Sequence, residues 1–460
     1  MKDHSPSGSS LLLAQVLRTV ARPYRLPPAL HASPDWRQAG TATALAACIE
    51  QARLAMARNA APAAALKRHF TAALGQLIRE AMLPDHGDPA FQAMVLRHGA
   101  AHVREYASLA AHAGRDRRAI RTAVDAMAHP ARQQRVAQPR LREALARLHA
   151  AGSWTALADA ARQVRNMPET AAQPTLPPSL DRLLHDPALS RLQRLDALQA
   201  DALVQRYQAL WDRQGPRQGS PSAIAAGSAA KQRGAAVEAM AAQALQALAQ
   251  RLDQAGDNGR AHRVVTSLRV PAALSAGAGR AKTEWDVALL RQGQAAGTEP
   301  GWDICLLVEA KASADAAITD LPRLLRGLRL LAQADPGRRY AFRTVQETVN
   351  LRGASLHALE AGEDVSDTVL YCCDAPADTP PRLLGAASRM QLLSAPASLD
   401  HAGILAQGRD AGDASLVAVW ETLLSAPGWH AVLHQYPMLC QVRALMVRPA
   451  DLLAAVRAIP

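Results

Sequence analysis

Aromatic side chains are scarce in this 460-residue chain, where Phe, Trp and Tyr make up 3%. That scarcity argues against a stacking platform for single-stranded bases. The five cysteines, at positions 48, 305, 372, 373 and 440, are odd in number and form no CxxC pair. Neither a disulfide framework nor a cysteine zinc site is expected from them. Cys372 and Cys373, adjacent on a strand, would point to opposite faces. No GxGxxG and no P-loop occurs, which removes the common nucleotide-cradling loops. HExxH is absent too. Two HxxxH pairs, His98 with His102 and His430 with His434, lack a further ligand nearby in sequence. No apolar run reaches membrane-spanning length, and residues 11–17 are too short and too weakly flanked for a signal peptide. A reduced, cytoplasmic setting with no membrane partner is the expectation.

Basic charge, by contrast, is plentiful. The formal net charge is +12 and the sequence pI is near 10.1, which favours an anionic partner. The excess is uneven: residues 1–150 carry 21 Lys and Arg against 10 Asp and Glu, residues 351–460 only 7 against 11. The densest basic cluster, Arg115 to Arg121, reads as a solvated helix face in the first place and as a phosphate contact in the second. Residues 1–213 read as a basic, largely α-helical domain. A Gly-, Pro- and Ser-rich linker follows at 214–228, then a core of strands and helices at 229–395, and a helical C-terminal segment at 396–460. The N-terminal residues 1–9 are polar and Ser-rich. Strands alternating with helices in the core suggest a mixed sheet covered on both faces.

The chemistry concentrates in residues 283–313. Two apolar runs there, Val287 to Leu290 and Ile304 to Val308, are separated by a Gly- and Gln-rich turn and carry acidic groups at their edges. Runs of this length bounded by turn residues read as buried strands. Alternation puts Glu284 and Asp286 on one face, and Glu309 and Lys311 on one face with Ala310 opposite. Paired as a hairpin, the strands would bring Asp286 and Glu309 together with Lys311 beside them. Two carboxylates and an ammonium suit a divalent cation and the phosphate or water it activates. Upstream, Lys231 to Glu238 opens an Ala-rich helix. Arg280 and Lys282 end a Gly- and Ala-rich loop beside the acidic strands, placed to hold a nucleic-acid backbone or to serve as an ordinary connection. Each element also has a plainer reading: Glu238 as one solvated helix charge, Asp286 as a turn residue, Glu309 to Lys311 as an exposed strand end.

Asp286 followed by Glu309-Ala310-Lys311 resembles the two core motifs of the PD-(D/E)xK nuclease superfamily. Arg233-Gly234 and Glu238 are similar to the RGxxxE helix that many members place first. The order is also that superfamily's: helix with Glu, strand, strand opening with Asp, strand running into ExK, helix. Trp285 stands where the first motif often has Pro. The likeness covers about residues 230–395. It implies a restriction-endonuclease-like core inside a mixed α+β and α/β chain. It also implies a Mg²⁺- or Mn²⁺-dependent phosphodiesterase acting on nucleic acid, most often DNA. Asp286, Glu309 and Lys311 would be catalytic; Asp286, Glu309, the Ala310 carbonyl and Glu238 would hold metal; Arg280, Lys282 and Arg233 would contact nucleic acid. No other cofactor is implied. One fold hosts many functions, so a catalytically inactive nucleic-acid-binding module remains an alternative. So does an interaction module whose helical region docks a protein partner or a second copy.

Overall fold

The computed structural model describes residues 8–26, 40–216, 219–256, 260–277, 279–293, 301–359, 365–378 and 381–458. The first residues of the Ser-rich N-terminus (1–7), the Gly- and Gln-rich turn (294–300) and two positions of the expected linker (217–218) lie outside them. The chain divides into two compact units. One comprises residues 1–74, 218–392 and 417–460, the other residues 75–217 and 393–416. The helical N-terminus is therefore shared out, since an amphipathic stripe records that a face is buried but not against what. The helix α1 (Gly8–Thr19) buries Val16 and Leu17 in the same core as residues of four strands of the first unit.

The expected linker is a helix over most of its length. In α2 (Pro221–Gln254), Ser220 accepts the Ala223 N–H at 3.1 Å and Pro221 takes the first turn. Ser-Pro, which counts as linker composition, is here a helix start. The first half of α2 is exposed, and its buried residues begin at Val237 and run through Ala241, Ala244, Leu245 and Leu248 to Leu252.

Among the described residues seven strands form one mixed sheet: β1 (His262–Arg269), β2 (Glu284–Gln292), β3 (Trp302–Lys311), β4 (Arg339–Arg343), β5 (Thr348–Arg352), β6 (Val369–Cys373) and β7 (Met446–Val447). β1, β2 and β3 form an antiparallel meander, β4 and β5 a hairpin, and β6 runs parallel to β3, pairing Glu309 with Tyr371 and Lys311 with Cys373. Single pairings, Arg269 with Arg343 and Trp302 with Leu351, join the hairpin to β1 and β3, so β1 to β5 close into a ring. Leu351 lies in β5, which ends at Arg352, and Gly353 starts a short helix directly after it.

The sheet is buried on both faces, which is why β2 and β3 read as continuous apolar runs. One face packs Leu289, Leu306, Val308 and Cys372 on α1, α2 and the C-terminal helix. The other packs Leu290, Leu307, Tyr371 and Cys373 on α3 (Ala314–Ala332). Cys372 and Cys373 thus face opposite layers, as a strand requires. Ser313 caps α3 by accepting the Ala316 N–H at 3.2 Å, and the helix continues through Pro322.

The second unit is helical among its described residues. Its core gathers Ile120, Val124, Leu141, Leu145, Ala158, Leu180 and Leu192. Asp116, in the middle of the basic cluster, is buried and takes a two-point hydrogen bond from Arg191 at 2.7 and 2.8 Å. Its neighbours Arg115, Arg117, Arg118 and Arg121 are exposed.

Candidate active site

The ladder between β2 and β3 ends at the pair Val287 and Val308, so the next residues outward are Asp286 and Glu309. The hairpin pairing brings them to the same end, where the Asp286 Oδ2 accepts the Ala310 N–H at 2.8 Å. Strict alternation would put Trp285 and Val287 on one face, yet Trp285 lies in the α3 core and Val287 in the opposite one. The strand turns over at Asp286, leaving its carboxylate at the rim between the layers. The partner strand is distorted at the same level. Ser267, in the left-handed region with φ of 56°, interrupts the ladder between the Thr266–Val287 and Leu268–Trp285 pairs. Its hydroxyl donates to Glu284, and Arg269 stands 3.3 Å from the same carboxylate. Ser267 first, then Arg269, hold the Glu284 carboxyl below its ordinary range against the effect of burial. Glu284 is thereby tied to β1 rather than to Asp286.

Glu309 is 0% exposed. Its Oε2 receives two ammonium groups, Lys282 Nζ at 2.7 Å and Lys311 Nζ at 3.0 Å, while its Oε1 has no hydrogen-bond partner. Burial, and after it the Asp286 charge, push the Glu309 carboxyl up to about 7 in spite of both lysines. Asp320, from α3, faces the same two cations, 3.2 Å from Lys311 and 4.0 Å from Lys282, and lies 3.4 Å from the Tyr371 hydroxyl, which donates to it. Burial pulls the Lys311 ammonium down, but Glu309, Asp320 and Asp286 outweigh it and leave its pKa raised.

Lys282 is not the loop cation that the sequence suggests. Its side chain is only 9% exposed, it lies 5.9 Å from the Trp285 ring, and its N–H donates to the Arg323 carbonyl at 3.1 Å. Gly327 of α3 makes this possible, because a Cβ there would stand 2.8 Å from the Lys282 carbonyl oxygen. Gly327→Ala should therefore push Lys282 off Glu309 and cost roughly 1–3 kcal/mol, as overpacking does, measurable by urea unfolding. Arg280 is exposed, and its carbonyl accepts from Arg326 at 3.2 Å; Arg233 is exposed on α2. These two remain open to solvent.

Glu238 is half-buried on α2, and burial, then Asp286, then Glu284, raise its pKa. Among the described residues, however, no three His, Cys, Asp or Glu side chains stand together as a metal-holding group. Glu238 is felt by Asp286 through space but does not join Asp286 and Glu309 as a third clustered carboxylate. The HxxxH pairs lead elsewhere: His98 pairs with Asp400 and His102 with Asp201, while His430 and His434 stack at 4.0 Å.

No family model matches the chain, and neither a curated protein nor a solved structure does.

The residues present still fit a divalent cation. Mg²⁺ commonly takes one or two carboxylates and fills its remaining positions with water and phosphate oxygens. A fully buried carboxylate oxygen without a donor is costly, and Glu309 Oε1 is such an atom beside a second carboxylate. A cation there would satisfy the orphaned oxygen and offset the charge of Asp286. Asp320 and Tyr371 are the site residues that sequence reading missed. Asp320 carried a signal, since it lies on the stripe of Ala317, Leu324 and Leu331, where a carboxylate has no solvated alternative.

Proposed function

We propose that the first unit hydrolyses phosphodiester bonds in nucleic acid, DNA foremost, using Mg²⁺ or Mn²⁺ on a restriction-endonuclease-like core. The observation that carries this reading is Glu309: a buried carboxylate with one unpartnered oxygen, next to Asp286, with the Lys311 ammonium at 3.0 Å. The chain order α2, β1, β2, β3, α3, with β6 following only after the β4–β5 hairpin, and the motif order that resembles the PD-(D/E)xK superfamily support it. Asp286, fixed by the Ala310 N–H, and Glu309 would hold the cation, with the Ala310 carbonyl as a further oxygen and Glu238 acting from a distance. When bound, the cation would polarise the phosphate and favour ionisation of a water. Lys311, which keeps its proton, would orient that water and offset charge gathering on the phosphate oxygens. Asp320 holds Lys311 from the other side and so fixes its direction. Exposed Arg280 and Arg233, and the net charge of +12, would supply salt-dependent affinity for the backbone.

A second reading has an observation of its own. Two ammonium groups already compensate Glu309, which suits a nuclease-fold module that binds nucleic acid or a protein without turnover. Linear and circular DNA incubated with Mg²⁺ or Mn²⁺ separates the two. Cleavage that EDTA stops and Asp286→Asn abolishes supports the enzyme. Intact substrate with every metal, together with binding that weakens steeply as salt rises, supports the module.

A further inference from the structure

The arrangement around Glu309 is asymmetric. Both ammonium groups approach Oε2, at 2.7 and 3.0 Å, and none approaches Oε1. Lys311 belongs to the motif, but Lys282 does not, and its placement is built rather than incidental. Its side chain is 9% exposed, its backbone is pinned to α3 through Arg323, and Gly327 is the residue that lets α3 come that close. Asp320 at 4.0 Å gives the Lys282 ammonium a second carboxylate. A charge held this firmly acts like a bound ion, and like charges a few ångströms apart in a poorly screened interior repel strongly. We infer that Lys282 is a built-in cation standing where a second metal ion would have to approach Glu309, so that the site takes a single divalent ion and holds it loosely.

This inference rests on the metal-dependent reading of the site and is tested separately from it, by binding rather than by activity. Mn²⁺ is titrated into the intact protein, with calorimetry for stoichiometry and affinity and electron paramagnetic resonance for coupling between neighbouring ions. The same titration is run on Lys282→Met, which keeps the aliphatic stem, and on Lys282→Arg, which keeps the charge. The wild type should bind one ion with no metal–metal coupling. Lys282→Met should bind Mn²⁺ roughly tenfold more tightly or better, as removal of a nearby like charge requires, and should admit a second ion. Lys282→Arg should resemble the wild type. A lysine that only braced the fold would give the opposite sign, because its loss would loosen the site and weaken Mn²⁺ binding; that result overturns the inference. Two coupled ions in the wild type overturn it as well, while leaving metal-dependent chemistry standing. No Mn²⁺ binding by the folded wild type overturns the reading of the site together with the inference.

Discussion

Replacing Lys311 by alanine is expected to lower Mg²⁺-dependent cleavage of DNA by about 10²- to 10³-fold, the usual cost of losing one placed charge-stabilising donor. The ammonium is held from two sides, by Glu309 Oε2 at 3.0 Å and Asp320 at 3.2 Å, so it needs no reorganisation to meet developing charge. Its raised pKa also fixes what it can do. A raised pKa favours a charge-stabilising role over a general base, so the lost activity should not return on raising the pH from 7 to 9. Single-turnover rates across that range, with a melting curve for each variant, check both statements. A variant that cleaves at the wild-type rate would remove Lys311 from the chemistry. One that recovers at pH 9 would restore a general-base role.

The second large effect is on stability. Glu309 has an ordinary pKa of 4.5 and is held at about 7 in the folded protein. Between these values the native state binds a proton that the unfolded chain has released, so stability falls as pH rises through the window. The contribution is fully present below about pH 4.5 and lost above about pH 7, a change of about 3 kcal/mol. Urea unfolding of the metal-free protein in steps across this range should show the decline, and Glu309→Gln should flatten it. Saturating Mn²⁺ should flatten it too, since an ion on Oε1 favours the ionised carboxylate. A stability that instead rises from pH 4.5 to 7 in the wild type, and equally in Glu309→Gln, would mean that Glu309 is not the buried acid described here.

The strands that bear the candidate site were legible because nothing else in the chain combines two short apolar runs with acids at their ends. Burial on both faces removes alternation but leaves length and flanking turns, and those placed β2 and β3. Other parts were hidden for identifiable reasons. β5 is a five-residue strand that buries only Val349 and Leu351, with Gly353 immediately after it; such a segment has too few apolar positions to separate a period of 2 from 3.6. Lys282 looked like a loop cation because its burial depends on Gly327, some forty-five positions later. Asp320 could have been found as the one carboxylate on an apolar helical stripe. The division of the helices between two units had no local signal at all. Val16 and Leu17 advertise a buried face, and only the tertiary structure says that the sheet covers it.

The ring formed by β1 to β5 leaves that part of the sheet without an open edge. An open meander offers rows of unpaired amides on its flanks, a template for adding a strand from another molecule. Here the flank of β1 away from β2 is already taken: the Thr266 carbonyl accepts the Val345 N–H, the Thr266 N–H donates to the Gln346 Oε1, and the His262 amide donates to Asp253. At the other end of the sheet β7 is two residues long, and α-helix resumes at Pro449. Seeding of fibrils through the sheet would first have to peel the β4–β5 hairpin from its single pairings at Arg343 and Leu351. Mutations that loosen those two points should thus shorten the time to aggregation more than they lower equilibrium stability.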